Sequence, residues 1–261
     1  MEQLATNKKT FKERFLSWLS VYGYAVIFSA IVLLVDCLVY WLTPFVAKHF
    51  KYYDFTIHGF DDKVPMIKIF FIPYLLAYAY WFVAPIIAGK NRKRFCDLFV
   101  AEMISFAVIA IIYCFMPTTI SRPIDEMLAS DSWVDQFIGN FYMVDSGYVP
   151  FGCFPSIHCI LSAFCYISIR NQKNIHIGNR IGILIMDILI LLSTQFTKQH
   201  YIVDLISAVI LAELTFFISH KFNLGRKLEE FINKVENKIK QKYQKKKIEK
   251  KEENSVSNDD N

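Results

Sequence analysis

The chain has no C-x-x-C pair among its six cysteines, no glycine-rich dinucleotide fingerprint, no phosphate-binding loop of the nucleotide-hydrolase kind and no internal repeat. The first absence leaves the cysteines, most of them inside apolar stretches, as small core residues. The second makes nucleotide chemistry on the inside an unsuitable reading. A dominant basic face is lacking too, with 29 Lys and Arg against 24 Asp and Glu for a net charge of +5, which excludes a nucleic-acid-binding domain built on such a face. Six cysteines in 261 residues do not make a disulfide-built mini-protein. Cys153 is the one cysteine clearly outside the apolar runs, and its spacing to His158 and Cys159 matches no usual zinc ligand pattern.

What the chain has in abundance is apolar and aromatic side chains. The hydrophobic set is 54% of the residues and aromatics 16%, and mean hydropathy is +0.30 despite a charged C-terminal tail. Disorder is excluded by that content, and an integral-membrane protein is what remains. Six stretches approach the ~20 apolar residues that a crossing helix needs. They are 21–42, 67–89, 95–116, 155–169, 177–196 and 201–219, the fourth being short and the fifth carrying Asp187. The expected fold is therefore all-α, a bundle of six transmembrane helices over 1–220 followed by a tail over 221–261.

Orientation follows from the flanking cations. Lys8, Lys9, Lys12 and Arg14 precede the first span, Lys90, Arg92, Lys93 and Arg94 follow the second, and Arg170, Lys173 and Arg180 follow the fourth. Segment 117–154 instead holds Arg122 alone against Asp125, Glu126, Asp131, Asp135 and Asp145. Both termini are expected in the cytoplasm, with the first span retained because its apolar run is longer than a signal core and no small-x-small cleavage site follows. The tail has 12 Lys or Arg and 8 Asp or Glu, and Leu228, Phe231, Ile232, Val235 and Ile239 have amphipathic-helix spacing. It reads either as a helix on the anionic inner leaflet or as a solvated, partly disordered tail, the second being slightly preferred. Lysine-, isoleucine- and asparagine-rich usage suggests a bacterial cell membrane.

This topology places three polar clusters on the outer face: Arg122 in PTTISRP, His158 in CFPSIHC, and His200 with Asp204 in STQFTKQHYIVD. Pro155 and Ser156 suit the first turn of a helix, where free N–H groups favour a phosphate and the serine adds a hydroxyl. His200 and Asp204, four apart on a helix, share a face, so the carboxylate can fix the imidazole tautomer and raise its nucleophilicity. His158 is a second imidazole suited to proton delivery, and Arg122 and Lys198 supply positive charge for phosphoryl oxygens. Asp36, Glu102, Asp187 and Glu213 are scattered over four spans and read as structural pairs or helix-end residues.

The pattern P-S-x-H at Pro155-Ser156-Ile157-His158, followed 35 residues after His158 by S-x6-H-x3-D at Ser193, His200 and Asp204, resembles the type 2 phosphatidic acid phosphatase superfamily of membrane lipid phosphatases. The resemblance spans roughly 61–213 and is closest to the branch that shades into sphingolipid-type phosphotransferases. It implies a six-helix bundle and a phosphohistidine mechanism without metal or cofactor. His200 would be the nucleophile, Asp204 its orienting carboxylate and His158 the acid. Arg122, Ser156, Ser193, Thr194 and Lys198 are the candidate phosphate ligands. Three positions depart from the family pattern: Phe115 where a Lys is usual, Ile157 where Gly is usual and Thr194 where an Arg is usual.

The expected function is a phosphatase acting on a lipid phosphate or polyprenyl diphosphate at the external leaflet. The rivals are a head-group phosphotransferase using the same site and a non-catalytic lipid-phosphate binding or transport protein.

Overall fold

In a computed structural model, residues 11–145, 150–239 and 241 are described. Along them run α1 (Phe11–Leu42), α2 (Pro44–Ala47), α3 (Phe71–Ala88), α4 (Arg92–Phe115), α5 (Ile124–Ala129), α6 (Trp133–Asp145), α7 (Ile157–Ile169), α8 (Ile177–Phe196) and α9 (Ile202–Lys221). A further helix, α10, covers 226–239. The only sheet among the described residues is one parallel pair, β1 (Tyr53–Asp54) with β2 (Thr118–Thr119), registered Tyr53 to Thr118 and Asp54 to Thr119.

Five helical segments are long and apolar enough to cross a membrane: Val21–Ala47, Lys68–Ala88, Arg92–Phe115, Ile177–Phe196 and Ile202–Lys221. Their outward faces carry Ile27, Leu34, Ile111, Ile185 and Ile210, all exposed. Such a distribution suits lipid as the outer solvent, and the protein is an all-α, multi-pass membrane bundle. Segment 155–169 behaves differently. Its helix, α7, has only 13 residues, about 20 Å at 1.5 Å per residue, but 11 of them are buried. It is the axis around which α3, α8 and α9 pack, so its short length meets protein rather than hydrocarbon at both ends.

Polar side chains join the spans from inside. Ser105 Oγ and Thr215 Oγ1 meet at 2.9 Å between α4 and α9. Trp81 donates to Ser162 Oγ at 3.0 Å between α3 and α7, and Tyr80 to the Ile183 carbonyl at 3.0 Å between α3 and α8. Arg170 grips Glu213 through two hydrogen bonds of 2.5 and 2.9 Å, which gives one of the four intramembrane acids a structural partner.

At the end of the bundle where α4 starts and α9 stops, α10 folds back onto α1 and α4. Ile232 is buried with Tyr24 and Phe95, while Arg92 pairs with Glu236 at 2.6 Å and donates to Asn233 at 2.6 Å. The preference for a solvated tail therefore does not describe 226–239; residues 240 and 242–261 lie outside the described ones. Asp97 locks the turn into α10, its carboxylate accepting from His220 at 2.9 Å and from the Gly225 N–H at 3.2 Å. A Cβ at Gly225 would stand 2.5 Å from backbone atoms of both Cys96 and Asp97, which cannot rotate away.

Gly225→Ala should therefore lower stability by about 1–3 kcal/mol, whereas Gly182→Ala, with nothing within 4 Å of its new methyl, should be neutral or slightly stabilising. Thermal unfolding of the two variants in detergent checks this, and equal melting temperatures would contradict the packing.

Candidate functional site

The opposite end of the bundle, where α4 ends and α3, α7 and α9 begin, is closed by four loops tied together through backbone. Thr118 Oγ1 accepts from the N–H groups of Cys153 (3.1 Å) and Phe154 (2.8 Å), so the β1–β2 pair holds the chain entering α7. Asp61 accepts from Ile57 N at 2.7 Å and Ile202 N at 3.0 Å, fixing the start of α9. Gly152, at φ +70°, lies where a Cβ would sit 2.7 Å from the Tyr113 ring, so only glycine suits both the turn and the contact. Tyr113 in turn donates to the Pro155 carbonyl at 2.8 Å.

Beneath these loops lies a cavity of about 240 Å³ whose lining includes Arg122, His158, Gln199, His200, Asp36 and Asp145. Three of the sequence candidates thus come together, from segments far apart in the chain. His158 is in the first turn of α7, the ring stacked on Tyr74 at 4.5 Å with Trp81 edge-on at 4.9 Å. Its Nε2 is buried and has no hydrogen-bond partner among the described residues. The ring of His200 is 6.1 Å away, centre to centre.

His200 is not on the helix with Asp204, as the sequence reading has it, but in the turn just before α9. The contact survives because the turn folds onto the helix start: His200 Nδ1 is 3.4 Å from Asp204 Oδ2. A nearer partner is the Cys153 carbonyl, at 3.0 Å from the same nitrogen. Both neighbours accept only, so Nδ1 carries the proton and Nε2 keeps its lone pair. Asp204 is buried and also accepts from Tyr201 N at 2.8 Å.

Arg122 is held against the ring of Tyr142, 5.2 Å from its centroid, and its Nη1 is 3.1 Å from Asp145 Oδ2. Tyr142 donates to the Thr197 carbonyl at 2.5 Å, and burial raises its pKa above the phenol's ordinary value, so it stays a donor. Burial likewise pushes up the Cys153 thiol, which keeps it protonated and unlike a metal ligand. Among the described residues no three His, Cys, Asp or Glu side chains converge to hold a metal ion.

The remaining candidates are close by but face elsewhere. Ser156 caps α7, accepting from Cys159 N at 3.2 Å, so α7 starts two residues later than Pro155-Ser156 in the first turn would place it. Ser193 Oγ donates to the Ile190 carbonyl at 2.7 Å and Thr194 Oγ1 to the Leu191 carbonyl at 2.8 Å, each within α8. Lys198, expected on the phosphate, instead donates to the carbonyls of Asp61 (3.3 Å) and Val64, with its own backbone at φ +54°. It fastens the loop before α3, and none of these four lines the cavity.

Three lining residues were missed. Gln199 is buried and its Nε2 has no partner among the described residues. Asp145 approaches Arg122 from the end of α6, a helix with no counterpart in the sequence reading, and Asp36 enters from α1. Gln199 had a signal in its place directly before His200, and Asp36 had one as an intramembrane acid, read above as structural.

A single guanidinium beside two imidazoles, with the buried Gln199 amide nitrogen lacking an acceptor among the described residues, is suited to an oxyanion such as phosphate. Inorganic phosphate or vanadate should raise the melting temperature of the detergent-solubilised protein, by about 2.7 kcal/mol of stability at a hundredfold excess over Kd. Arg122→Gln should erase the shift; an equal shift in that variant would place anion binding elsewhere.

A family model described as the PAP2 superfamily matches residues 47–218. The match singles out no branch of the superfamily. No curated protein and no solved structure matches the chain.

Proposed function

The chain belongs to the type 2 phosphatidic acid phosphatase (PAP2) superfamily, whose members are generally phosphatases, and from that premise we propose that it hydrolyses a lipid phosphate or polyprenyl diphosphate without a metal, through a phosphohistidine. The observation that carries this reading is the double anchoring of His200 Nδ1, by the Cys153 carbonyl at 3.0 Å and Asp204 at 3.4 Å. With that nitrogen protonated, the lone pair on Nε2 is available to phosphorus.

In the proposed reaction His200 Nε2 bonds to phosphorus as the bond to the leaving oxygen breaks, and protonated His158 gives its proton to that oxygen. Water then attacks phosphorus, His158 recovers a proton from it, and the P–N bond breaks to restore His200. Asp204 balances the positive imidazolium that exists while His200 is phosphorylated. Arg122 and the Gln199 amide hold the equatorial oxygens. The membrane arrangement belongs to the same proposal: α7 as a sixth crossing, both termini in the cytoplasm, and the cavity at the external leaflet, consistent with the cations around Arg92–Arg94 at the far end.

A second reading, transfer of a phospho-head group to another lipid's hydroxyl, is favoured by one feature. Asp145 shares the lining with Arg122 and pairs with it at 3.1 Å, and a guanidinium already offset by a carboxylate suits a phosphodiester monoanion better than a dianionic monoester.

Phosphate release from a panel of lipid phosphates and polyprenyl diphosphates in EDTA should fall about 10³-fold or more in His200→Ala. Release that persists in the mutant, or that requires added metal, would overturn the phosphohistidine. Products appearing only with an acceptor lipid would select the transferase. Gln199→Leu should lower kcat about 10²-fold while the protein stays folded. The wild-type pH profile should be bell-shaped, because the proposed reaction needs one imidazole neutral and the other protonated. A flat profile would contradict the division of roles.

A further inference from the structure

α10 carries two apolar lines, and the bundle covers only one of them. At about 100° per residue, Leu228, Ile232 and Glu236 follow one line and face α1 and α4. Phe231, Val235 and Ile239 form the line beside it and are 60%, 38% and 61% exposed. Beyond that line, away from the bundle, Lys227, Lys234 and Lys238 at i, i+7 and i+11 make a basic edge, while Glu229 and Glu236 lie on the other side. Glu230, paired with Arg226 at 3.5 Å, lies past the lysines, so the charges nearest the exposed apolar stripe on its outer side are cations.

The stripe has a fixed direction. Ile232 is buried, Arg92 holds both Glu236 and Asn233, and the turn before α10 is locked on Asp97, so the helix cannot roll to hide Phe231. Along the chain it follows the spans' exposed apolar residues: Leu214 and Phe217 of α9, then Phe222 and Leu224 in the turn, then the stripe.

From this geometry we infer that α10 is a membrane-surface helix, resting its Phe231–Val235–Ile239 stripe in the leaflet at the end of the bundle opposite the cavity and binding anionic lipid head groups along its lysine edge. An apolar stripe in contact with water gains by entering the interface, and lysines at its border add attraction to a negative surface. Charge complementarity and continuity with the spans favour lipid over a second copy of the chain. The inference stands apart from the chemistry proposed for His200.

The test is site-specific photo-crosslinking of the full-length protein in nanodiscs of equal parts zwitterionic and anionic phospholipid. Phe231 is replaced by a benzophenone amino acid, and Asn237, on the opposite face of α10, serves as the control position. Phe231 should give lipid adducts and Asn237 should not. Anionic adducts should exceed zwitterionic ones about fivefold, the ratio falling toward one when Lys227, Lys234 and Lys238 are changed to Ser. Adducts from Phe231 to another copy of the protein, or no more lipid adduct than from Asn237, would overturn the assignment. Lipid adducts without anionic preference would overturn the role of the lysines.

Discussion

The cavity end depends on a seam of hydrogen bonds between the start of α7 and the start of α9. Ser156 N donates to the Asp204 carbonyl at 3.2 Å, His200 Nδ1 donates to the Cys153 carbonyl at 3.0 Å, and the Asp204 carboxylate accepts from Tyr201 N at 2.8 Å. Each bond crosses between segments some 50 residues apart or closes the turn that makes the crossing possible. Inside a bundle surrounded by hydrocarbon there is little water to substitute for them, so a broken one leaves an unsatisfied polar group. The seam consequently fixes both the separation of the two imidazoles and the tautomer of one of them.

The same seam bears on the phosphate binding proposed for the site, where two cations usual in the family pattern are replaced. Phe115, at the position of the family's Lys, is exposed and packs edge-on to Phe50, 5.3 Å between centroids, outside the cavity. Thr194, at the position of the family's Arg, is buried and bonded within α8. Lys198 is occupied with loop carbonyls and does not compensate for either. What the fold brings forward instead is Gln199, whose backbone N–H donates to the Thr194 carbonyl at 3.0 Å, as does that of His200. One carbonyl therefore sets the direction of two neighbouring side chains. A neutral donor with a single guanidinium is a weaker electrostatic set than several cations, and it lowers the charge that the cavity asks of its substrate.

Much of this was legible in the sequence because the strongest signals are local. Hydropathy runs locate the long spans, and the intervals around Ser156, His158, His200 and Asp204 place the histidines at one end of them. The intervals failed where tertiary structure decides. That Ser193, Thr194 and Lys198 share a motif with His200 says nothing about which way each points: the first two bond back within α8, Lys198 reaches the Asp61 carbonyl from the turn, and none of the three lines the cavity. Asp145 and Asp36 are invisible to motif reasoning, since they arrive from α6 and α1, and α6 lies in a segment whose helices a charge count does not reveal. Amphipathic spacing in the tail was visible, yet the choice between helix and solvated chain rested on Arg92 and Tyr24, partners more than 130 residues earlier.

The two ends of the molecule are coupled by the α4–α9 pair. α4 begins beside the Asp97 lock and ends at Tyr113 under the cavity; α9 begins at Asp204 and ends at the same lock, with Ser105 and Thr215 joined at 2.9 Å between them. Helices bonded at their ends and along their length cannot slide by a turn without breaking contacts at both faces. If α10 rests on one leaflet, the depth of that leaflet is then transmitted by a rigid pair to the height at which His158 and His200 meet the other. For an enzyme whose substrate is embedded in lipid, the head group reaches the nucleophile only when that height matches the bilayer. Under the function proposed above, a clamp such as Arg92–Glu236, remote from any chemistry, then takes part in how a lipid phosphate is presented to His200.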